Sequence, residues 1–239
     1  MTPTAPAFHA NPVLFGHDST PLLLAFELEG DDRIRIFSRG EDGQVVSSLR
    51  EFRPFLLLVS TDLLAGWGGG FDVEALHGEG LYAFLVRFHG WSDALKARAH
   101  LAKATGRAQT APDAPFLFLG DPIQQHLMLS GQTHFLELPF DALRRLQLDI
   151  ETYCAGGYEF PNAARAEDRI IAIALSDSTG WERVISGKAL DEPEMLRELV
   201  RIVAERDPDV IEGHNLFRFD LEYIEARASD PALLQRTDE

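Results

Sequence analysis

The sequence has one cysteine, Cys154, among its 239 residues. It can close no internal disulfide, and its solitude excludes structural zinc sites of the multi-cysteine kind. Lysine is nearly missing: only Lys96, Lys103 and Lys188 occur, so arginine carries almost all the positive charge. Positive charge is itself short, with Lys+Arg 22 against Asp+Glu 38 and a formal net charge of -16. A protein that gripped nucleic acid by neutralising phosphates alone should be basic. No apolar run approaches the ~18 residues of a membrane span. The N-terminus, Met1-Thr2-Pro3-Thr4-Ala5-Pro6, lacks the positive and apolar regions of a signal peptide. These absences lead us to expect a reducing, cytoplasmic setting and no membrane partner. Gly 19 and Pro 13 are ordinary counts, which excludes collagen-like and low-complexity chains.

What is present is globular: 45% hydrophobic and 25% charged residues, enough for one large domain or two modest ones. Met1 to about Asn11 reads as a frayed tail. Leu22–Leu28 and Arg33–Phe37 flank the turn cluster Glu29-Gly30-Asp31-Asp32, which predicts a hairpin. Phe52–Val59 is a continuous apolar strand, with Pro54 placing its start at an edge or bulge. Trp67-Gly68-Gly69-Gly70 is a loop, and Leu81–Phe88 another strand. Trp91–Thr105 reads as a helix capped by Ser92 or Asp93 and ended by Gly106. Phe116–Leu119 is extended, and Asp121-Pro122 opens a short helix stopped near Gly131.

From about Leu143 the rhythm changes. Leu146–Glu151, Arg169–Leu175 and Glu182–Ser186 read as strands. Asp191, Glu194 and Pro193 form a capping-box start for a helix whose apolar stripe is Met195, Leu196, Leu199, Val200 and Val203. Asp207-Pro208 ends it. Val210-Ile211 is a short buried strand, and Phe219–Ala228 a further helix. This order predicts an α/β layer with mixed strand directions after a β-rich α+β half. Acid is uneven: 12 basic and 17 acidic side chains precede residue 146, and 10 basic and 21 acidic follow, so most of the excess lies in the second half.

Asp149 and Glu151 lie two apart on a predicted strand and therefore share a face, with Leu148 and Ile150 on the other. Adjacent carboxylates repel unless a cation neutralises them or water screens them. Oxygen donors at this spacing suit Mg²⁺ or Mn²⁺, and a wet acidic strand face is the plain alternative. Gly213-His214-Asn215-Leu216-Phe217-Arg218-Phe219-Asp220 places a third acid, Asp220, at a strand-to-helix junction, where ligand sites of α/β sheets gather. Taken alone, Asp220 could equally be a first-turn acid answering the helix dipole, and Asn215 a turn residue. The histidines pair with no cysteine at a metal spacing, so a zinc hydrolase is a poor reading.

Together, Leu148-Asp149-Ile150-Glu151-Thr152 and Asn215 with Phe219-Asp220-Leu221-Glu222-Tyr223-Ile224 resemble the first two motifs of DEDD 3′–5′ exonucleases. The version here is similar to the proofreading exonuclease of family B DNA polymerases. Arg53-Pro54-Phe55-Leu56-Leu57-Leu58 and Asp121-Pro122-Ile123-Gln124-Gln125-His126-Leu127-Met128 resemble, more loosely, segments of that family's N-terminal domain. The resemblance implies an N-terminal domain over 1–143, then part of a ribonuclease H-like domain over 144–239, whose full form is a mixed five-stranded sheet with helices. It also implies two divalent cations in the complete enzyme, Mg²⁺ or Mn²⁺. Asp149 would bridge both ions, Glu151 would bind one, and Asp220 would support the second partly through water. Thr152, Asn215 and Phe219 would hold the unpaired 3′ nucleotide.

The family pattern also has a third motif, Tyr-x-x-x-Asp, after the second. None follows Asp220 here; Tyr223 is followed four residues later by Arg227. The expectation is a fragment of a polymerase used in DNA replication or repair, itself with little or no nuclease activity and no polymerase activity. It would bind DNA poorly, hold no metal stably by itself, and dimerise through its truncated surface. The alternatives are a standalone DEDD exonuclease with an unrelated leader and a non-catalytic scaffold.

Overall fold

A computed structural model describes residues 13–40, 42–78 and 80–229, and the expected frayed tail lies outside them. The chain forms two compact units, Met1–Leu138 and Pro139–Glu239. Both mix helix and sheet, and the first is rich in strands.

The first unit opens with the predicted hairpin. Strands β1 (Leu23–Glu29) and β2 (Arg33–Arg39) pair antiparallel around the turn, with Glu29 opposite Arg33. Strand β3 (Val45–Glu51), absent from the sequence-based reading, pairs with β2 and forms an outer edge. Val46 and Leu49 are both exposed, so β3 carries no apolar alternation to announce it. The second sheet has the order β5-β6-β4-β7 (Asp72–Ala75, Phe84–Arg87, Phe55–Leu58, Phe116–Leu117). All four residues of β4 are buried, which is why the run shows no alternation. The strand is central and begins after Pro54, so the proline stands before the strand and not at the edge or bulge expected. Phe52 instead joins Leu23, Ile34 and Ile36 beneath the first sheet. Leu81 is exposed and precedes β6.

Helix α1 (Trp91–Thr105) ends at Gly106 in the left-handed region, as expected, but neither Ser92 nor Asp93 caps it. Gly90 is the cap residue and has no side chain to offer. Asp31, from the distant hairpin turn, supplies what is missing: its carboxylate accepts from Ser92 N and Oγ, each at 2.7 Å. Helix α2 (Pro122–Ser130) follows the sequence closely, capped by Asp121 and ended by Gly131. Its Gln125 is fully buried and stitches two segments, accepting from Phe55 N at 2.7 Å and donating to the Leu119 carbonyl at 2.8 Å.

The second unit is a four-stranded sheet among the described residues, with the order β10-β9-β8-β11. Its members are β8 (Arg145–Thr152), β9 (Ile170–Asp177), β10 (Glu182–Ser186) and β11 (Val210–Glu212). Neighbours pair antiparallel except β11, which runs parallel to β8 after the crossover through helix α3 (Glu192–Arg206). The Asp191–Glu194 capping box forms as expected. The apolar stripe differs at one position: Val200 is exposed and Ile202 is buried. Helix α4 (Asp220–Ala228) follows β11, and both helices pack on Leu146, Leu148, Ile150, Ile173 and Leu175 to form the core. No helix among the described residues is long and apolar enough to cross a membrane.

Candidate active site

Strand β8 has the alternation its sequence predicts. Leu146, Leu148 and Ile150 are buried under the helices, and Asp149 and Glu151 are exposed on the opposite face. Beside them Ala174, Ser176 and Val184 of β9 and β10 line an open cleft of about 620 Å³, which also takes in Gln147 and His214. Small residues on β9 leave space over Asp149, so the carboxylate faces a trough and not a packed core.

Asp220 reaches the same strand from a different direction. Strand β11 stops at Glu212 opposite Gln147, so beyond Gln147 that edge of β8 has no partner strand among the described residues. The chain leaving β11 covers the vacated edge. Gly213 lies so close that a Cβ there would stand 2.4 Å from the Leu148 carbonyl oxygen. Only glycine avoids that overlap without moving β8. The turn continues through Asn215, at φ 58, whose carbonyl accepts from Arg218 N and Phe219 N. Asn215 tolerates this left-handed backbone better than most residues. Asp220 then opens α4, and its Oδ1 accepts from Ile150 N at 3.1 Å.

The other Asp220 oxygen, Oδ2, is buried and has no hydrogen-bond partner among the described residues. A buried carboxylate oxygen with no donor is costly, and a cation or an ordered water would satisfy it. The plain first-turn reading of Asp220 therefore accounts for only half of the side chain. The donor types, three carboxylates, fit a hard divalent ion. Among the described residues, however, no three acidic, histidine or cysteine side chains converge closely enough to hold an ion by themselves. An ion here would need water or a substrate oxygen to complete its shell.

The residues expected to hold a nucleotide are spread along the junction. Asn215 is exposed and serves the turn through its backbone. Phe219 is half-buried, packed against the core with its ring 5.4 Å from that of Tyr223. Thr152 is half-buried at the end of β8. Sequence reasoning missed a second cleft, of about 500 Å³, in which Phe160 and Arg165 from the loop after β8 face Arg218 and Phe219. Phe160 is 71% exposed, far more than a phenylalanine with a packing role requires. An aromatic and an arginine in a long loop beside paired acids were the available signal.

Residues 182–236 match the family described as DNA polymerase family B, exonuclease domain. Over those residues the chain is similar to a family B DNA polymerase exonuclease domain. It is 36% identical over 97 residues to a DNA polymerase of Thermococcus sp. (strain GE8), and that match covers 37% of this chain and 5% of the relative. The DNA polymerase of Thermococcus gorgonarius is 35% identical over 97 residues, covering 37% and 12%. The chain thus spans a small part of the curated relatives it matches. A solved family B DNA polymerase from Pyrobaculum calidifontis shares the fold at a TM-score of 0.60 and 22% identity, over 87% of this chain and 32% of that one. The likeness to family B polymerases thus extends by fold over 87% of the chain and by family model over residues 182–236.

Proposed function

We propose that this chain is the N-terminal and exonuclease portion of a DNA-directed DNA polymerase that proofreads during DNA replication or repair in the cytoplasm. In this reading 1–143 is the N-terminal domain and 144–239 the first part of the 3′–5′ exonuclease. The observation that carries it is the arrangement around β8: two exposed carboxylates on the strand and a third, with an unpartnered buried oxygen, bonded to the same strand's edge. Two bound divalent ions would supply a hydroxide nucleophile and stabilise the leaving 3′ oxygen. Asp149 would present oxygen donors to the open trough, Glu151 would do so from the same face of the strand, and Asp220 would offer Oδ2 from the strand's edge. Ile150 N holds Asp220 in place through Oδ1. Phe219 and Thr152 border the unpaired 3′ nucleotide, with Asn215 shaping the turn that carries them.

Manganese titration tests the reading by calorimetry. The intact chain should bind Mn²⁺ weakly, in the high-micromolar to millimolar range, and Asp149→Ala or Asp220→Ala should weaken binding about tenfold. No heat from the intact chain, or binding by either variant as tight as that of the intact chain, would sink it. A non-catalytic scaffold is the second reading, favoured by the exposure of Asp149 and Glu151, and the same null titration would support it.

The 239 residues contain no Tyr-x-x-x-Asp after Asp220, so we further propose that they cleave DNA poorly when tested alone. Robust Mg²⁺-dependent shortening of a 5′-labelled single strand would overturn that. We also propose that the chain self-associates, which sedimentation at rising concentration reads directly; a single monomeric species throughout would overturn it.

A further inference from the structure

Helix α4 buries three polar residues along one stripe: Asp220, Tyr223 and Arg227. Their spacing of three and four places them on one face. Most of the unit's core is aliphatic, so a polar stripe there calls for a reason. Together they bond to strand β8, to the loop that follows it and to the first turn of α3. Asp220 takes the edge of β8. The Tyr223 hydroxyl donates to the Asp168 carbonyl at 2.6 Å. The Arg227 guanidinium donates to the Ala163 and Arg165 carbonyls, each at 3.1 Å, and pairs with buried Glu192. Both carbonyl pegs grip the loop between β8 and β9, residues 153–169.

That loop has its own internal anchor. The buried Asp168 carboxylate accepts from Ala155 N at 2.8 Å, Asn162 N at 2.7 Å and Arg165 Nε at 2.8 Å. The loop is thus folded about Asp168 and tied to α4 by Tyr223 and Arg227. Its outer side carries Phe160 and Arg165, one wall of the cleft; Arg218 and Phe219, with Glu222 and the ring of Tyr223 from α4, form the other. A buried ion pair such as Glu192–Arg227 adds little net stability over well-packed apolar residues, because desolvation offsets its attraction. What it supplies is a fixed arrangement of the groups it bonds.

We infer that Tyr223 and Arg227 are positioning residues: they peg the 153–169 loop to the helix that begins with Asp220, so that the aromatic cleft and the carboxylates keep one spacing. The consequence for DNA rests on the exonuclease reading above; the peg itself does not.

The test uses Tyr223→Phe, which keeps the ring and removes only the hydroxyl. Hydrogen exchange of the free 239-residue chain should show amides of 153–169 exchanging about tenfold faster, with β8 and β9 unchanged. Unaltered loop exchange, or acceleration that spreads equally through both strands, overturns the peg. A second arm measures a fluorescent oligothymidylate binding in Ca²⁺. Affinity should fall about fivefold in Tyr223→Phe and in Phe160→Ala, and the double variant should be no worse than either alone, since both act on one wall. An affinity that Phe160→Ala lowers and Tyr223→Phe leaves intact overturns the positioning role. A loop that loosens while neither the intact chain nor any variant binds oligothymidylate sinks the exonuclease reading and leaves the peg standing.

Discussion

At the scale of single residues, Gly213 sets the closest tolerance in the site. Its Cα hydrogen occupies space that a methyl group could not share with the Leu148 carbonyl. Gly213→Ala should therefore cost about 2–3 kcal/mol, within the range for strained backbone positions. It should also push Asp220 away from Ile150 N. The measurement is urea unfolding, paired with the Mn²⁺ titration; an unchanged midpoint would contradict the overlap. In the first unit His126 is buried between the Phe26 and Phe52 rings, and its Nε2 bonds Gln132, which in turn bonds Asp18. Burial pushes its pKa below the ordinary 6.5, against smaller opposing effects of Gln132 and Asp18. A depressed histidine means that the unfolded chain binds the proton first as pH falls. Its contribution to stability is complete above about pH 6.5 and declines as pH drops from there through the folded-state pKa. The urea midpoint should therefore fall between pH 7.5 and 5.5, and His126→Gln should flatten that part of the fall. An equal slope in the variant would assign the loss to other groups.

At the scale of elements, what could be read in advance was what local residues determine alone. The Asp191–Glu194 box, the Asp121 cap and the Gly106 and Gly131 stops are each written within a few adjacent positions, and each forms. The alternation of β8 likewise placed Asp149 and Glu151 on one face. Features made by distant partners could not be read. Strand β3 exists because β2 offers an edge, and its own exposed side chains carry no pattern. The cap of α1 comes from Asp31, 61 positions before Ser92, so the nearby Ser92 and Asp93 misled. That difference yields a prediction. Asp31→Ala should destabilise the first unit by about 1–2 kcal/mol, the usual cost of a lost N-cap, although Asp31 lies in a hairpin turn. Ser92→Ala should cost less, because Ser92 N keeps its acceptor. The reverse order in denaturant midpoints would show that Ser92 is the effective cap.

At the scale of the whole molecule, the net charge of -16 is the constraint that any DNA-binding account must meet. The acid excess is greatest in the half that holds Asp149, Glu151 and Asp220, and three ligands cannot explain all of it. Few guanidiniums face the cleft where a strand would lie. Arg165 is held by Asp168, and a pKa raised chiefly by that hydrogen bond reflects the same pairing. Arg218 projects into the cleft from the exposed turn before α4. Single strands lose about 0.7 in the log–log salt slope for each phosphate neutralised. With one or two available cations the slope should be only about −0.7 to −1.4. Divalent ions should instead dominate, because they cancel acid at the point where the strand's phosphates would arrive. Oligothymidylate binding should be undetectable in EDTA, appear with millimolar Ca²⁺ or Mn²⁺, and change little between 50 and 200 mM KCl. A steep salt slope in EDTA, with no response to divalent ions, would mean that a basic surface elsewhere on the chain binds the strand and that the carboxylates of β8 have no part in it.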